Sequence, residues 1–317
     1  MSSSAQKSSK SIFTTQAIVL GGISWGIISL LFFLLFSANP PDWYSPLTYI
    51  FTFVGNLGAA ALCFRNWQSP QIVSGRSVWL GIGLGMLLYF VGDIFFGLWE
   101  LVFDQDPAVS PGDFFYIISY ICLSVGMFLA VTTRRLNLEP KQWGIVAGIF
   151  LSSTLLAVWL SLPSAVDVEV PAAEPVAAEV AAEAAPAPEA APEVPGEESS
   201  APAWVIELED TLQPLETFVT LLYTIMDVLL LIAASMVLLA FWGGRTSQSW
   251  RMIAAAAFSL YIADMWFKYA SRLPDYESGG LLEIFWIFSP ILFGIGAALE
   301  YDLSTRSTRR SRRRGSS

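Results

Sequence analysis

Eight apolar runs, each close to the length a helix needs to cross a hydrocarbon core of about 30 Å, constrain this 317-residue chain more than any other feature. They lie at 14–36, 47–64, 77–101, 114–133, 142–162, 215–242, 250–271 and 281–299. Backbone polar groups in lipid must be satisfied within the segment itself, so runs of this length fold as helices. The expected class is therefore an all-α membrane protein with eight transmembrane helices. A mean hydropathy of +0.56 and an apolar share of 54% agree, since an ordinary water-facing surface cannot be built from such a chain. The first run follows Lys7 and Lys10 and precedes Ser37 and Ala38, as a secretory signal would. Its apolar stretch is too long for a signal, and it is read as a retained helix.

Basic residues set the expected orientation. Lys7, Lys10, Arg65, Arg76, Arg134, Arg135, Lys141, Arg245, Arg251 and the six arginines from Arg306 to Arg314 fall in alternate loops or in the tails, against Lys268 and Arg272 toward the other side. The positive-inside rule then puts both termini in the cytoplasm of a bacterial plasma membrane or another internal membrane. The net charge of -10 is unevenly distributed. Twelve acids lie between Pro163 and Asp210, which has no Lys or Arg, while the tail carries arginines.

These signals divide the chain into a cytoplasmic tail, 1–13, and a first membrane part, 14–162, whose last span at 142–162 opens a second repeat. A linker at 163–213, the rest of the second repeat at 214–299 and a basic tail at 300–317 follow. The Ala/Pro/Glu/Val composition of 163–203 forbids a core and interrupts helix, so a disordered, self-repelling spacer is expected there. A loop expansion that costs little explains it more simply than a partner-binding arm does.

No histidine is present, which removes the commonest ligand for zinc, copper and haem iron, and Cys63 and Cys122 both lie within spans rather than in a disulfide framework. No phosphate loop, dinucleotide fingerprint or nucleophile elbow is found. No cofactor, no metal and no enzyme activity is expected, and no nucleic-acid partner.

Two stretches repeat one motif. Gly92-Asp93-Ile94-Phe95-Phe96, a loop, and the run from Asp113 to Gly126 align with Ala263-Asp264-Met265-Trp266-Phe267, a loop, and the run from Glu283 to Gly296. The alignment pairs Asp93 with Asp264, Asp113 with Glu283, Tyr116 with Trp286 and Ser119 with Ser289. Asn56 and Asp227 are separated by 171 residues, as are Asp93 and Asp264, so the repeat extends to two parallel units of four helices related by a pseudo-two-fold axis along the membrane normal.

Carboxylates within a span cost about 2.5 to 3.5 kcal/mol on insertion scales, so they face the bundle interior or a wet cavity. Asp93 and Asp264 each lie about 12 Å below the outer end of their helices at 1.5 Å per residue. One reading is a polar pocket open to the extracytoplasmic side, with Asn56, Asp93, Asp227 and Asp264 at its floor, and Glu100, Asp113, Tyr116, Glu283 and Trp286 around its rim. On helix three Tyr89, Asp93, Phe96 and Glu100 share a face, and Asp264 and Lys268 have the spacing of an ion pair. The other reading is interhelical hydrogen bonds and helix caps. For Asp113 the cap is preferred, because Ser110-Pro-Gly-Asp113 precedes an apolar run; for the buried aspartates both stay open. The glycines Gly81, Gly83, Gly85, Gly92, Gly97, Gly294 and Gly296 read as close helix contacts. Trp43, Trp67, Trp99, Trp143, Trp204, Trp242 and Trp250 read as an interfacial belt.

The motif of an Asp in one helix, a Pro or Gly loop, then an acid, two apolar residues, an aromatic and a small residue resembles the multi-span sensor region ahead of some bacterial diguanylate cyclases and related signalling proteins. Tyr223-Thr-Ile-Met-Asp227-Val-Leu-Leu-Leu resembles its matching element. The resemblance covers roughly 47–133 and 214–299, and implies a membrane part that senses an envelope signal. After Leu299 comes an arginine-rich tail instead of a catalytic domain, so the resemblance carries a fold and a pocket but no activity. Arg309, Arg310, Arg312, Arg313 and Arg314 are expected to meet anionic lipid headgroups, at about 1 kcal/mol per basic residue, with an acidic protein partner as the sharper alternative.

The expected function is a non-enzymatic membrane sensor or accessory protein that signals through an unidentified protein partner. A small secondary transporter or proton-coupled carrier is the alternative, and an assembly or structural subunit of a membrane complex the third.

Overall fold

The computed structural model describes residues 2–105, 108–132, 138–161, 201–240, 247–273, 276 and 278–314. They form α1 (Ser2–Phe36), α2 (Tyr44–Gln68), α3 (Arg76–Phe103), α4 (Pro111–Thr132), α5 (Pro140–Ser161), α6 (Ala203–Leu212), α7 (Glu216–Ala240), α8 (Ser247–Ala270) and α9 (Ile284–Arg314), with short 3-10 turns before α7 and α9 and no strand among them. Seven helical segments are long and apolar enough to cross a membrane, the make-up of an all-α integral membrane protein. They are Thr15–Phe36, Tyr44–Gln68, Arg76–Phe103, Pro111–Thr132, Pro140–Leu160, Ala203–Ala240 and Leu281–Arg306. The expected span at 250–271, within α8, falls outside this set because Arg251, Asp264 and Lys268 dilute its hydropathy.

Six helices close a ring. α2, α3, α4, α7, α8 and α9 pack in that order, and α9 returns to α2. α1 lies outside against α9 and α2, where Trp25 Nε1 donates to the Phe51 carbonyl at 3.3 Å. α5 lies outside against α7 and α8, where the Tyr261 hydroxyl donates to the Ser153 carbonyl at 2.9 Å. The upper end of the ring is where α2, α4, α7 and α9 begin and α3 and α8 finish. Arg65, Arg76, Lys141 and Arg251 all fall at the opposite, lower end.

Between helices in lipid no hydrophobic force acts, so close backbone approach and interhelical hydrogen bonds must hold the ring. Glycines permit the approach. A Cβ on Gly81 would stand 2.8 Å from the Gly126 Cα, and one on Gly126 would stand 2.9 Å from the Ile82 nitrogen and 3.0 Å from the Val78 carbonyl. On the far side of the ring a Cβ on Gly296 would meet Ile253 at 2.6 Å and the Ser249 carbonyl at 3.1 Å. Hydroxyls and an amide bridge the same contacts. Ser119 donates to the Gly85 carbonyl at 2.7 Å, Ser249 to Gly296 at 2.8 Å and Asn66 Nδ2 to Ala297 at 2.9 Å.

The lower and middle parts of the ring are filled with apolar side chains, including Ile82, Met86, Leu123, Met127, Ile253, Ala257 and Phe293. Trp79 of α3 and Trp250 of α8 meet across the interior, with ring centroids 6.0 Å apart and no exposure of either. Outside, α1 turns Leu20, Ile27, Leu31 and Leu35 outward, and α5 turns Leu151, Leu155 and Trp159 outward, as a lipid-facing surface requires.

Several expectations change. α1 starts at Ser2 and α9 runs to Arg314, so helix continues through both segments read as tails. The side chains of Arg309, Arg310, Arg312, Arg313 and Arg314 lie outside the described part, as do residues 162–200. The end of the expected spacer is ordered. Ala201, just before α6, and Val205 of α6 lie against Trp99, because Trp204, Val205 and Leu208 give this stretch an apolar face that the Ala/Pro/Glu composition before it lacks. Trp99 is thus covered and Trp250 lies in the core, so neither belongs to an interfacial belt.

The glycine contacts give opposite signs for one substitution. Gly126→Ala forces the α3–α4 backbones apart and destabilises by about 1 to 3 kcal/mol, the range for overpacking. Gly58→Ala, which meets nothing within 4 Å, is neutral or stabilising by up to about 1 kcal/mol through helix propensity. Thermal unfolding of both variants in mild detergent checks the contrast; equal shifts would mean that α3 and α4 do not approach this closely.

Candidate functional site

A cavity of about 560 Å³ lies at the upper end of the ring. Side chains from every ring helix line it, Thr48 and Tyr49 from α2, Asp93 from α3, Tyr116 and Tyr120 from α4, Asp227 from α7, Asp264 and Lys268 from α8, and Trp286 from α9. This volume is within the range of small-molecule sites. Its floor is set by the three aspartates, and the apolar filling of the ring begins beneath them.

Asp93 is satisfied on both oxygens. Asn56 Nδ2 of α2 donates to Oδ2 at 2.8 Å, and the Tyr116 hydroxyl of α4 donates to Oδ1 at 2.9 Å. Gly92 makes the second bond possible, since a Cβ there would stand 2.6 Å from the Tyr116 ring. The carboxylate therefore ties α3 to both its neighbours. Asn56 does not line the cavity and acts from behind Asp93.

Asp264 is held in a comparable way. Trp286 Nε1 of α9 donates to Oδ1 at 2.7 Å, and the Tyr120 hydroxyl of α4 donates to Oδ2. Tyr120 thereby crosses from α4 to α8, which are not neighbours in the ring. Asp227 of α7 differs. It is buried against Asp264 and within reach of Tyr120, yet its Oδ1 has no hydrogen-bond donor among the described residues. A buried acceptor left in that state costs about 1 to 3 kcal/mol.

The expected Asp264–Lys268 pair is not formed. Asp264 is already occupied by Tyr120 and Trp286, and Lys268 Nζ instead donates to Thr224 Oγ1 of α7 at 2.5 Å. Spacing of four on one helix permits a pair but does not decide it when neighbouring helices offer closer partners. Glu100 also leaves its expected place. It takes hydrogen bonds from Ser45 at 2.9 Å and Tyr49 at 2.5 Å, fastening α3 to α2 outside the cavity lining. Gly97 lets the Tyr49 ring approach, as Gly92 does for Tyr116.

Asp113 and Glu283 line the cavity but serve as caps. Asp113 Oδ2 accepts from the Ser110 nitrogen at 2.7 Å while Ser110 Oγ accepts from Gly112 nitrogen at 3.1 Å, a capping box that starts α4. Its other oxygen accepts from the Tyr223 hydroxyl of α7 at 2.7 Å. Glu283 accepts from the nitrogens of Gly279 at 2.8 Å and Gly280 at 3.0 Å and from the Tyr276 hydroxyl at 2.6 Å, before α9. Gly279 adopts φ +103°, in the left-handed region, and its carbonyl accepts from the Tyr44 hydroxyl at 2.7 Å.

Sequence reading finds the acids, Tyr89 and Tyr116, and misses the other hydroxyls around the cavity. Tyr49, Tyr89, Tyr120, Tyr223 and Tyr276 line the cavity; Tyr120, Tyr223 and Tyr276 donate to carboxylates of the lining, and Tyr49 donates to Glu100 beside it. The signal is present in Tyr116 and Tyr120, one turn apart on α4, but which carboxylate each reaches depends on helix placement. Among the described residues no three acids or cysteines converge as a metal site requires. No family model, no curated protein and no solved structure matches the chain.

If Tyr120 and Asp264 hold α4 to α8, their removal is coupled. Tyr120→Phe destabilises by about 1 to 3 kcal/mol by stripping a donor from a buried carboxylate, and destabilises much less in an Asp264→Asn background. A double-mutant cycle on detergent-solubilised protein measures the difference; strictly additive effects would show that the bond contributes nothing.

Proposed function

We propose that this chain is a non-enzymatic membrane sensor or accessory protein that binds a small ligand from the extracytoplasmic side and acts through a separate protein. The observation that carries the reading is the cavity itself. It opens among tyrosines, threonines and aspartates at one end of the ring, and stops at an apolar filling built around Trp79 and Trp250.

The ring is two parallel units, α2–α3–α4 and α7–α8–α9, with α8 as the eighth span despite its diluted hydropathy. Corresponding contacts support this. Gly126 lies against Ile82 and Gly296 against Ile253; Tyr116 reaches Asp93 and Trp286 reaches Asp264. Trp79 and Trp250, 171 residues apart, touch each other, as equivalent residues do at a two-fold axis. α1 and α5 depart from the relation, since one packs on α9 and the other on α7. Eight spans put both termini on one side, and the basic residues gathered at the lower end make that side cytoplasmic.

A carrier needs a polar path to the second face, and the filling beneath the aspartates offers none in this arrangement. The side facing the cytoplasm is therefore a surface for a partner rather than an exit.

Cysteine accessibility tests this. With Cys63 and Cys122 replaced by alanine, a membrane-impermeant maleimide applied to sealed vesicles labels Thr224→Cys from the face opposite the termini and leaves Ala257→Cys, within the filling, unlabelled from either face. Labelling of Ala257→Cys, or solute flux in proteoliposomes that Asp93→Asn or Asp264→Asn abolishes, would replace the sensor reading by the carrier.

A further inference from the structure

We infer that the ligand is a small organic amine in its protonated form, with its ammonium held by Asp227 at the cavity floor between α7 and α8; this rests on the reading of the cavity as a ligand site. Two pairs of positions share one spacing. Asn56 and Asp93 are 37 residues apart, as are Asp227 and Asp264. In the first pair the amide of α2 donates to the carboxylate of α3 at 2.8 Å. In the second pair a carboxyl takes the place of the amide and lies against the Asp264 carboxyl.

The consequence is an acceptor without a donor. Asp227 is 2% exposed, it lines the cavity, and its Oδ1 has no partner among the described residues. Asp93 and Asp264 already receive two donors each, and Asp113 and Glu283 are taken up as caps. What is missing at Asp227 is a donor, and a positive one suits two carboxyls in contact better than a neutral one.

The walls fit the same species. Tyr89, Tyr120, Tyr223 and Trp286 line the cavity, and aromatic faces attract ammonium groups as well as apolar arms. Lys268, one turn beyond Asp264 on α8, and Arg272, just past the end of α8, line the cavity toward the mouth. Their charge draws a carboxylate on the outer end of the same amine, while the aspartates beneath favour its ammonium. Monoamine and amino-acid-like zwitterion share the ammonium, and the test separates them.

The full chain in mild detergent is titrated with 2-phenylethylamine, phenylalanine, 2-phenylethanol and 3-phenylpropionate, followed by thermal unfolding. The amine, the zwitterion or both raise Tm, and the alcohol and the carboxylate do not; a larger response to phenylalanine assigns Lys268 and Arg272 to a ligand carboxylate. Asp227→Asn raises the Tm of the unliganded protein, because the new amide donates to Asp264 as Asn56 does to Asp93, and weakens amine binding at least tenfold. Binding of the alcohol or carboxylate in preference to the amine, or amine binding unchanged in Asp227→Asn, would overturn the ammonium while leaving the cavity as a site. No response to any probe, together with no maleimide labelling of Thr224→Cys, would remove the site as well.

Discussion

A carboxylate enclosed by helices has no water to fall back on, so its donors must come from the helices around it, and this requirement organises the upper half of the molecule. Asp93 joins α3 to α2 through Asn56 and to α4 through Tyr116; Asp264 joins α8 to α9 through Trp286 and to α4 through Tyr120. Each bond is modest alone. Together they fix where five helices stand relative to one another, Tyr223 bonding Asp113 adds α7, and the space left between the aromatic donors is the cavity.

The lower half is held by a different principle. There Gly81, Gly126 and Gly296 bring backbones to distances that no Cβ allows, and Trp79 and Trp250 occupy the interior. Close packing gains dispersion contacts without any polar group to satisfy. Glycine also serves the polar half, where Gly92 and Gly97 admit the rings of Tyr116 and Tyr49 so that their hydroxyls reach past the helix to Asp93 and Glu100. A glycine stripe on α3 thus has two uses that sequence spacing does not separate.

The fold was largely legible because apolar length is a local property. The expected runs fall within α1, α2, α3, α4, α5, α7, α8 and α9 to within a few residues at most of their ends, and the additional helix, α6, was hidden by the low-complexity stretch before it. The site was legible in part. Asp93, Asp227 and Asp264 were visible as charges in apolar helices, and Ser110 with Asp113 as a cap. Glu100 and Lys268 were misplaced because same-face spacing on one helix says nothing of what the next helix offers. Ser45 and Tyr49 took the first and Thr224 the second. Tyr120 escaped notice since a tyrosine in a span has an apolar body and reads as packing until its hydroxyl has an address.

The sequence by itself therefore determined that the chain is a helical membrane protein, roughly where its helices lie and which acids are buried, since each follows from residue order and the insolubility of charge in lipid. The tertiary structure alone decided which of those acids are satisfied. Asn56 stands 37 residues before Asp93 and Asp227 stands 37 before Asp264, but only with α2 beside α3 and α7 beside α8 does one become a donor to its neighbour and the other a carboxyl against a carboxyl. Partnership is a property of distance and direction between elements, and neither is written along the chain.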